Sequence, residues 1–383
     1  MKFSVIYCSK LQFVIELEEY KNIDMYSINL VLIVKNESRC IDRCLSSFRE
    51  FVDEIILVDT GSTDDTLNKS LQYDPIIYQI TWADDFSLAR NYALEKSQAD
   101  WNIVVDADEW LMSGASHIHT LKNCSANFVG LINIVNQFEG NQQLNFSISS
   151  LPRVLPKGVR YEGKVHEQPV HVYPIRNLEI QIGHDGYQAS QRANKIGRNE
   201  KILRSELVNF PNDSYTNYQL GKQLTSDKNF EAAIVFFETA KNVNLTLPWR
   251  HDLVVRLLFC YKNQKRFIEG FLLIENEEKN YWNSPDFYFV CGDFLIDAAL
   301  YLPEYSSKLI PLIEINFLKA REIGENSNFD DRVIGRGSFL AAYNLYAYYL
   351  SIGKDEAAKI YLNIYEEEIK SIGHGHNSFL KID

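Results

Sequence analysis

Continuous apolar runs of strand length, separated by amphipathic stretches, dominate the first third of the chain. Ile28-Asn29-Leu30-Val31-Leu32-Ile33-Val34 is the first such run and predicts a strand buried on both faces. From about Ser38 to Phe51 the apolar or small positions Cys40, Ile41, Cys44, Leu45 and Phe48 recur at helical spacing. Glu54 to Val58 predicts the next strand, Asp64 to Leu71 a helix, and Pro75 to Ile80 a third strand. Residues 85–97 predict another helix and Trp101 to Val105 a fourth strand. Apolar strands alternating with helices imply an α/β fold, a mostly parallel sheet with helices on both faces. Ligands of such sheets bind beyond the carboxyl ends of the strands. The segments expected there are Lys35-Asn36-Glu37, Asp59-Thr60-Gly61-Ser62, Trp82-Ala83-Asp84 and Asp106-Ala107-Asp108, so polar chemistry gathers at one edge.

The pattern then changes twice. Phe128 to Val135 and Leu144 to Ile148 predict antiparallel strands, and Arg153 to Gly186, rich in Gly, Pro and His, reads as irregular. After about Arg198 the pattern is helical to the end and repeats. Leu220, Gly221, Leu224, Phe230, Ala233, Phe237 and Ala240 follow tetratricopeptide spacing. Val254, Leu257, Tyr261, Phe267, Gly270 and Ile274 echo them, and Leu345, Tyr349, Gly353, Ala358 and Leu362 form a later copy. Residues 285–323 read as a degenerate unit between them. Such helical pairs stack into grooved arrays. The expected layout is an extension over 1–27, a nucleotide-binding α/β domain over 28–200 and an all-α repeat domain over 201–383.

Composition narrows the partners. The chain has 383 residues, 46% hydrophobic, enough for two cores, and its net charge of -12 argues against a nucleic-acid track. The six cysteines form no C-x-x-C pair, and Cys40 and Cys44 sit one helical turn apart, which reads as reduced thiols in a cytoplasmic protein. No signal peptide and no membrane span are expected, because charges interrupt the apolar start and no run of 18 apolar residues occurs. A P-loop is excluded by the absence of G-x-x-x-x-G-K-[ST].

The chemistry concentrates at Asp106-Ala107-Asp108. Alternate residues of a strand share a face, so the two carboxylates leaving the fourth strand point the same way. Held together they repel, unless a cation or a set of donors answers them. A divalent metal on a sugar-nucleotide diphosphate is one answer. Arg90, one turn after Phe86 on a partly buried helix, is another, through a salt bridge to Asp106 or Asp108. Asp59 ends its strand before a Gly turn, where Ser62 or Thr63 can cap the following helix, and could accept a hydrogen bond from a base. Asp84 or Asp85 can cap the helix that carries Arg90. His166-Glu167 is a second cluster, where either side chain could take a proton or Glu167 could simply anchor the loop.

Val34-Lys35-Asn36-Glu37, Val58 to Thr66, Asp85-Phe86-Ser87-Leu88-Ala89-Arg90-Asn91 and Val104 to Glu109 together resemble glycosyltransferase family 2, of GT-A fold. The resemblance continues through Gly163 to Pro169 and Gly183 to Tyr187. The helical half resembles the tetratricopeptide tail of some members. The whole layout is similar to the sublancin-type peptide S-glycosyltransferases of glycocin biosynthesis.

The resemblance implies a UDP-sugar donor held by Lys35, Asn36, Glu37, Asp59, Ser62, Arg90, Asp106 and Ala107. It also implies Mg2+ or Mn2+ on Asp108 and His184, and Glu167 or His166 as the base opposite the leaving group. Lys195 and Arg198 are candidates to close over the phosphates. The implied reaction inverts at the anomeric carbon and moves a hexose, glucose by resemblance, to a Cys or Ser of a bacteriocin precursor peptide. A homodimer through the helical domain is expected on the same grounds. Two other readings stand beside it: a family 2 enzyme of cell-surface polysaccharide or lipid-linked glycan synthesis, and a repeat scaffold carrying an inactive nucleotide domain.

Overall fold

The structure is a computed structural model that describes residues 25–140, 143–185, 197–243, 245–326, 328–329 and 331–380. Most of the expected N-terminal extension lies outside these residues, as do Gly186, Tyr187 and Lys195.

The unbroken apolar runs become the centre of the sheet, as burial on both faces requires. β1 (Ile28–Val34), β2 (Glu54–Asp59), β3 (Ile76–Gln79) and β4 (Trp101–Asp106) are parallel in the order β3-β2-β1-β4. The helices between them, α1 (Ile41–Phe48), α2 (Thr66–Ser70) and α3 (Phe86–Lys96), follow in chain order, and acidic side chains hold the first turns of the last two. Asp64 accepts from the Thr66 amide at 3.0 Å, and Asp85 accepts from the Leu88 amide at 3.0 Å. Val31, Ile56, Val58, Ala93 and Val104 close one core beneath this sheet.

Beyond β4 the sheet turns antiparallel. β5 (Glu109–Ser113), α4 (Ala115–Leu121), β6 (Val129–Gly140), β7 (Gln143–Pro156) and β10 (Ile175–His184) follow, and the strands continue the sheet in the order β4-β7-β6-β10-β5. β8 (Arg160–Glu162) and β9 (Gln168–Val170) form a separate ribbon. The stretch expected to be irregular is thus largely strand. The period-2 signal was there, in Leu178, Ile180 and Ile182, but Gly and Pro on either side masked it. Gly114, at φ 93, begins α4, and a Cβ there would sit 2.3 Å from the Glu179 carbonyl oxygen, so only Gly permits this close approach.

Two compact units emerge: Met1–Ile132 with Leu151–Gly163 and Glu167–Ile182, and Asn133–Ser150 with Lys164–His166 and Gly183–Asp383. The second is built on helical pairs: α5 (Arg198–Asn209), α6 (Ser214–Ser226), α7 (Phe230–Ala240), α8 (Arg250–Asn263), α9 (Phe267–Glu277), α10 (Pro285–Tyr301) and α11 (Ser306–Ile323), then the short β11 (Arg332–Val333), α12 (Phe339–Ser351) and α13 (Asp355–Leu380). The repeat positions explain the stacking. Gly221 lies under the Phe237 ring, Gly270 under Phe294 and Gly292 under Phe317, and a Cβ added at each would come within 2.6, 2.2 and 2.8 Å of those rings. Glycine at these positions lets the helices approach until the rings fill the gap. The degenerate segment 285–323 is the ordinary pair α10–α11.

Candidate active site at the carboxyl edge of the sheet

Register places the acidic strand ends side by side. Val34 of β1 is level with Asp59 of β2, and Ile33 with Asp106 of β4, so the two carboxylates flank the end of β1. The direction of the crossover connections reverses there, which is where open α/β sheets form a crevice.

Side chains tie the loops after β1 and β2 together. Asn36, at φ 56, donates its amide to Ser62 Oγ at 3.0 Å and accepts from the Thr63 amide at 2.7 Å through Oδ1. Glu37 donates its amide to Thr66 Oγ1 at 2.7 Å, and Ser38 donates to Asp64 at 3.1 Å. These bonds from Thr66 and Ser38 outweigh the cost of burial and draw the Asp64 carboxyl down to about 2. Asp59 is buried and accepts from the Ser62 amide at 2.9 Å. Lys35 and Asn36 are exposed on the rim.

Arg90 is the hub of the site. It is 5% exposed, and its Nη2 donates to Asp106 Oδ1 at 2.6 Å while Nε donates to Glu167 Oε1. Burial works against the guanidinium charge, but Asp106 and Glu167 more than offset it and push its pKa up. Arg153 completes the cluster: its Nη2 donates to Asp106 Oδ2 and to Glu109 Oε1, each at 3.0 Å. Glu109 Oε2 in turn accepts from the Asp106 amide at 2.8 Å. Burial would raise the Asp106 pKa, but the two guanidinium groups hold it far below the usual carboxylate range. Arg90 Nη1 is buried and has no hydrogen-bond partner among the described residues. A buried donor left open costs free energy unless something arrives to accept from it.

The turn between β4 and β5 is pinned from below. Leu111 donates its amide to Ser47 Oγ of α1 at 2.9 Å, and the Arg43 guanidinium lies 3.7 Å from the Trp110 ring centroid. Ala107 and Asp108 are both buried in this turn. Cys40 and Cys44 pack beneath, with their thiols donating to Glu37 Oε2 at 3.2 Å and to the Asp106 carbonyl at 3.6 Å. Burial pushes both thiols well above their ordinary pKa, so they are protonated packing groups.

The remaining candidates divide between the two units. Glu167 is held by Arg90 in the first unit. His166 belongs to the second, at φ 55, and burial, helped by the Lys222 charge, pushes its pKa down to about 4. His184 also belongs to the second unit, where Nδ1 and Asn136 Oδ1 are 2.9 Å apart. Arg198 begins α5.

Two carboxylates of this rim bear on the divalent cation that the resemblance implies. Asp106 has given both oxygens to guanidinium groups, and Asp108 is the second carboxylate of the turn. Among the described residues no three His, Cys, Asp or Glu side chains gather at coordinating distance. One carboxylate suffices when substrate phosphates and waters supply the other ligands, as is usual for Mg2+ beside a diphosphate.

Sequence reading missed Arg153 and Glu109. An Arg between Pro152 and Val154 inside an apolar strand was the available signal, because a buried guanidinium demands anions. The role of Asn91 was missed too. Its Nδ2 donates to the Tyr161 carbonyl at 2.9 Å and its Oδ1 accepts from the Tyr161 amide at 2.8 Å, so it fixes β8 against α3.

Residues 30–122 match the family model described as glycosyl transferase family 2. The chain is 28% identical over 305 residues to the SPbeta prophage-derived glycosyltransferase SunS of Bacillus subtilis, covering 76% of this chain and 72% of that protein. It is 28% identical over 222 residues to a TPR repeat-containing protein of Synechococcus elongatus, covering 55% of each. Among solved structures, MamA aligns at 13% identity and TM-score 0.37 over 49% of this chain and 97% of that one, too distant to carry an argument.

Proposed function

We propose that this chain, a glycosyltransferase by its family 2 domain and its relatives, moves a hexose from a UDP-sugar to a Cys or Ser side chain of a ribosomally made peptide. The observation that carries the donor half of this reading is the Arg90 cluster. A buried arginine, bonded to Asp106 and Glu167 at the carboxyl edge, leaves one buried donor, Nη1, without a partner among the described residues. A diphosphate is the ligand such a donor fits, since it brings charged oxygens into a site already shaped by fixed dipoles. Asp59 and the clipped loop at Asn36 and Ser62 supply the nucleoside contacts, and Asp106, held rigid from both sides, orients the ribose.

Asp108 is the side chain we assign to a divalent cation, Mg2+ or Mn2+. When bound, that cation offsets the charge growing on the departing diphosphate. The rest of the work falls to the chain. Inversion at the anomeric carbon needs a base on the face opposite the leaving group. Glu167 and His166 are the candidates, and burial with the Lys222 charge makes His166 a weak base, at about 4. A thiol, with an ordinary pKa near ~8.5, loses its proton to a weak base far more readily than an alcohol does. That difference favours cysteine over serine as acceptor. The resemblance of the whole layout to the sublancin-type peptide S-glycosyltransferases, together with the 28% identity to SunS, supports a peptide acceptor over a cell-surface glycan.

The test is direct. Purified protein is incubated with UDP-glucose, UDP-galactose and UDP-N-acetylglucosamine, Mn2+, and matched Cys- and Ser-containing peptides, and peptide masses are read. A hexose added to the Cys peptide is the expected result. Transfer only to lipid-linked or free sugars would refute the peptide assignment.

A further inference from the structure

The connection between α11 and α12 is a closed loop, and its tip lies on the helices of its own unit. Gly324, at φ 73, and Gly337 meet at the neck, where a Cβ on Gly337 would stand 2.3 Å from the Gly324 carbonyl oxygen. Glu325 Oε1 accepts from the Gly335 amide at 3.0 Å and from Ser338 Oγ at 2.7 Å, tying the two ends together. This is an Ω-loop, a compact surface loop with its ends held close.

The tip contacts the first helix of three successive pairs. Asp331 Oδ2 accepts from Lys222 Nζ of α6 at 2.5 Å, and Phe329 stacks on the His251 ring of α8 at 4.2 Å between centroids. Asp286 of α10 accepts from the Val333 amide at 3.1 Å and from Arg336 Nη1 at 2.7 Å. Between these anchors the backbone is extended. Arg332 and Val333 pair antiparallel with Ile148 and Ser147 of β7, and the Ile334 amide donates to the Phe146 carbonyl at 3.0 Å. Specificity therefore comes from an aromatic side chain, an acid two residues later and a base five residues after that. Strand pairing supplies the rest, which is how extended peptides add to sheet edges.

A ladder of only two paired residues, carried by a loop whose neck is closed independently of its tip, can leave without unfolding its surroundings. We propose that this loop is an internal stand-in for a peptide ligand. In this reading the surface formed by α6, α8, α10 and the edge of β7 takes an extended segment of a partner peptide, an aromatic residue two positions ahead of an acidic one, which displaces residues 328–336. The inference rests on the proposed function only in taking the acceptor to be a peptide. Its test uses no sugar donor, so it can fail while transfer succeeds, and the reverse.

The probe is a fluorescein-labelled synthetic peptide of residues 325–338. It is titrated against the full chain and against the triple variant Phe329→Ala/Asp331→Ala/Arg336→Ala, whose own loop is loosened. The expected result is binding at least 10-fold tighter to the folded variant, lost when the peptide residues that correspond to Phe329 and Asp331 are replaced by Ala. Equal affinity for both proteins, or no dependence on those two peptide residues, overturns the proposal. Hydrogen exchange on the unaltered chain decides the matter if the variant fails to fold. The Val333 and Ile334 amides should exchange at least 100-fold faster than the middles of α11 and α12, and equally slow exchange would make the loop a fixed part of the fold.

Discussion

Arg90 Nη2 meets Asp106 Oδ1 at 2.6 Å, so the first acid of the Asp106-Ala107-Asp108 turn is answered by an arginine of the preceding helix. Arg90 also holds Glu167 through Nε, a bridging role that depends on the planar fork of a guanidinium. Arg90→Lys keeps a charge but cannot reach both partners and an incoming phosphate together. Turnover of UDP-sugar is expected to fall about 10- to 100-fold, the equivalent of one charged hydrogen bond, and the thermal midpoint to fall too, because a buried carboxylate loses its partner. Steady-state kinetics beside a thermal melt checks this, and an unchanged kcat/KM would remove Arg90 from the site.

Arg153 has a different task. Its side chain is buried against Glu109 and the second oxygen of Asp106, and removing it takes a charged donor from both carboxylates. Arg153→Met should destabilise the first unit by about 3–5 kcal/mol, the usual result of breaking a buried ion pair from one side. The double variant Arg153→Met/Glu109→Gln should recover part of that loss. Urea unfolding of the two variants gives the answer, and equal stability of single and double variants would contradict the pairing.

His166 predicts a pH dependence. Burial and Lys222 push it from 6.5 down to about 4, so the folded chain keeps it neutral where the unfolded chain is already protonated. Its contribution is complete above the unfolded value of 6.5 and is lost as pH falls through that window toward 4. One proton corresponds to a slope of at most about 1.4 kcal/mol per pH unit. His166→Gln should flatten the stability profile between these limits, as urea midpoints at several pH values would show. Parallel profiles for variant and unaltered chain would place His166 in solvent.

The helical repeat makes a packing prediction. Gly270→Ala puts a methyl 2.2 Å from the Phe294 ring, which is fully buried and cannot swing aside. The better helix propensity of Ala gains about 1 kcal/mol, and overpacking costs about 1–3 kcal/mol or more, so a net loss is expected. Phe294→Leu in the same chain should relieve it. A thermal melt in which Gly270→Ala is as stable as the parent would refute the close approach.

Much of this candidate site's placement was legible in the sequence because it lies where apolar runs stop. An almost wholly buried strand such as Ile28–Val34 stops where polar residues begin, and the α/β pattern says which end faces ligands. Asp59, Arg90 and Asp106 follow from that rule together with the demand of buried charge for a partner. Arg153 and Glu109 did not follow, because their partnership joins β7 to β5 across the antiparallel half of the sheet, and pairing between distant strands leaves no local spacing. The Ω-loop over 325–338 escaped for a related reason. Its polar, Gly-bearing sequence reads as a connection, and only the folded helices supply the acids, bases and rings that hold it.

The central claim is that the turn after β4 holds a cation-bound UDP-sugar through Asp108, with Asp106 committed to arginine. Isothermal titration of UDP into the unaltered chain and into Asp108→Asn, each with and without Mn2+, tests it most directly. Mn2+ is expected to strengthen UDP binding to the unaltered chain by 10-fold or more and to have no effect on the variant, whose melting temperature stays near the parent's. Equal Mn2+-dependent binding by both proteins, or no UDP binding by either, would contradict it.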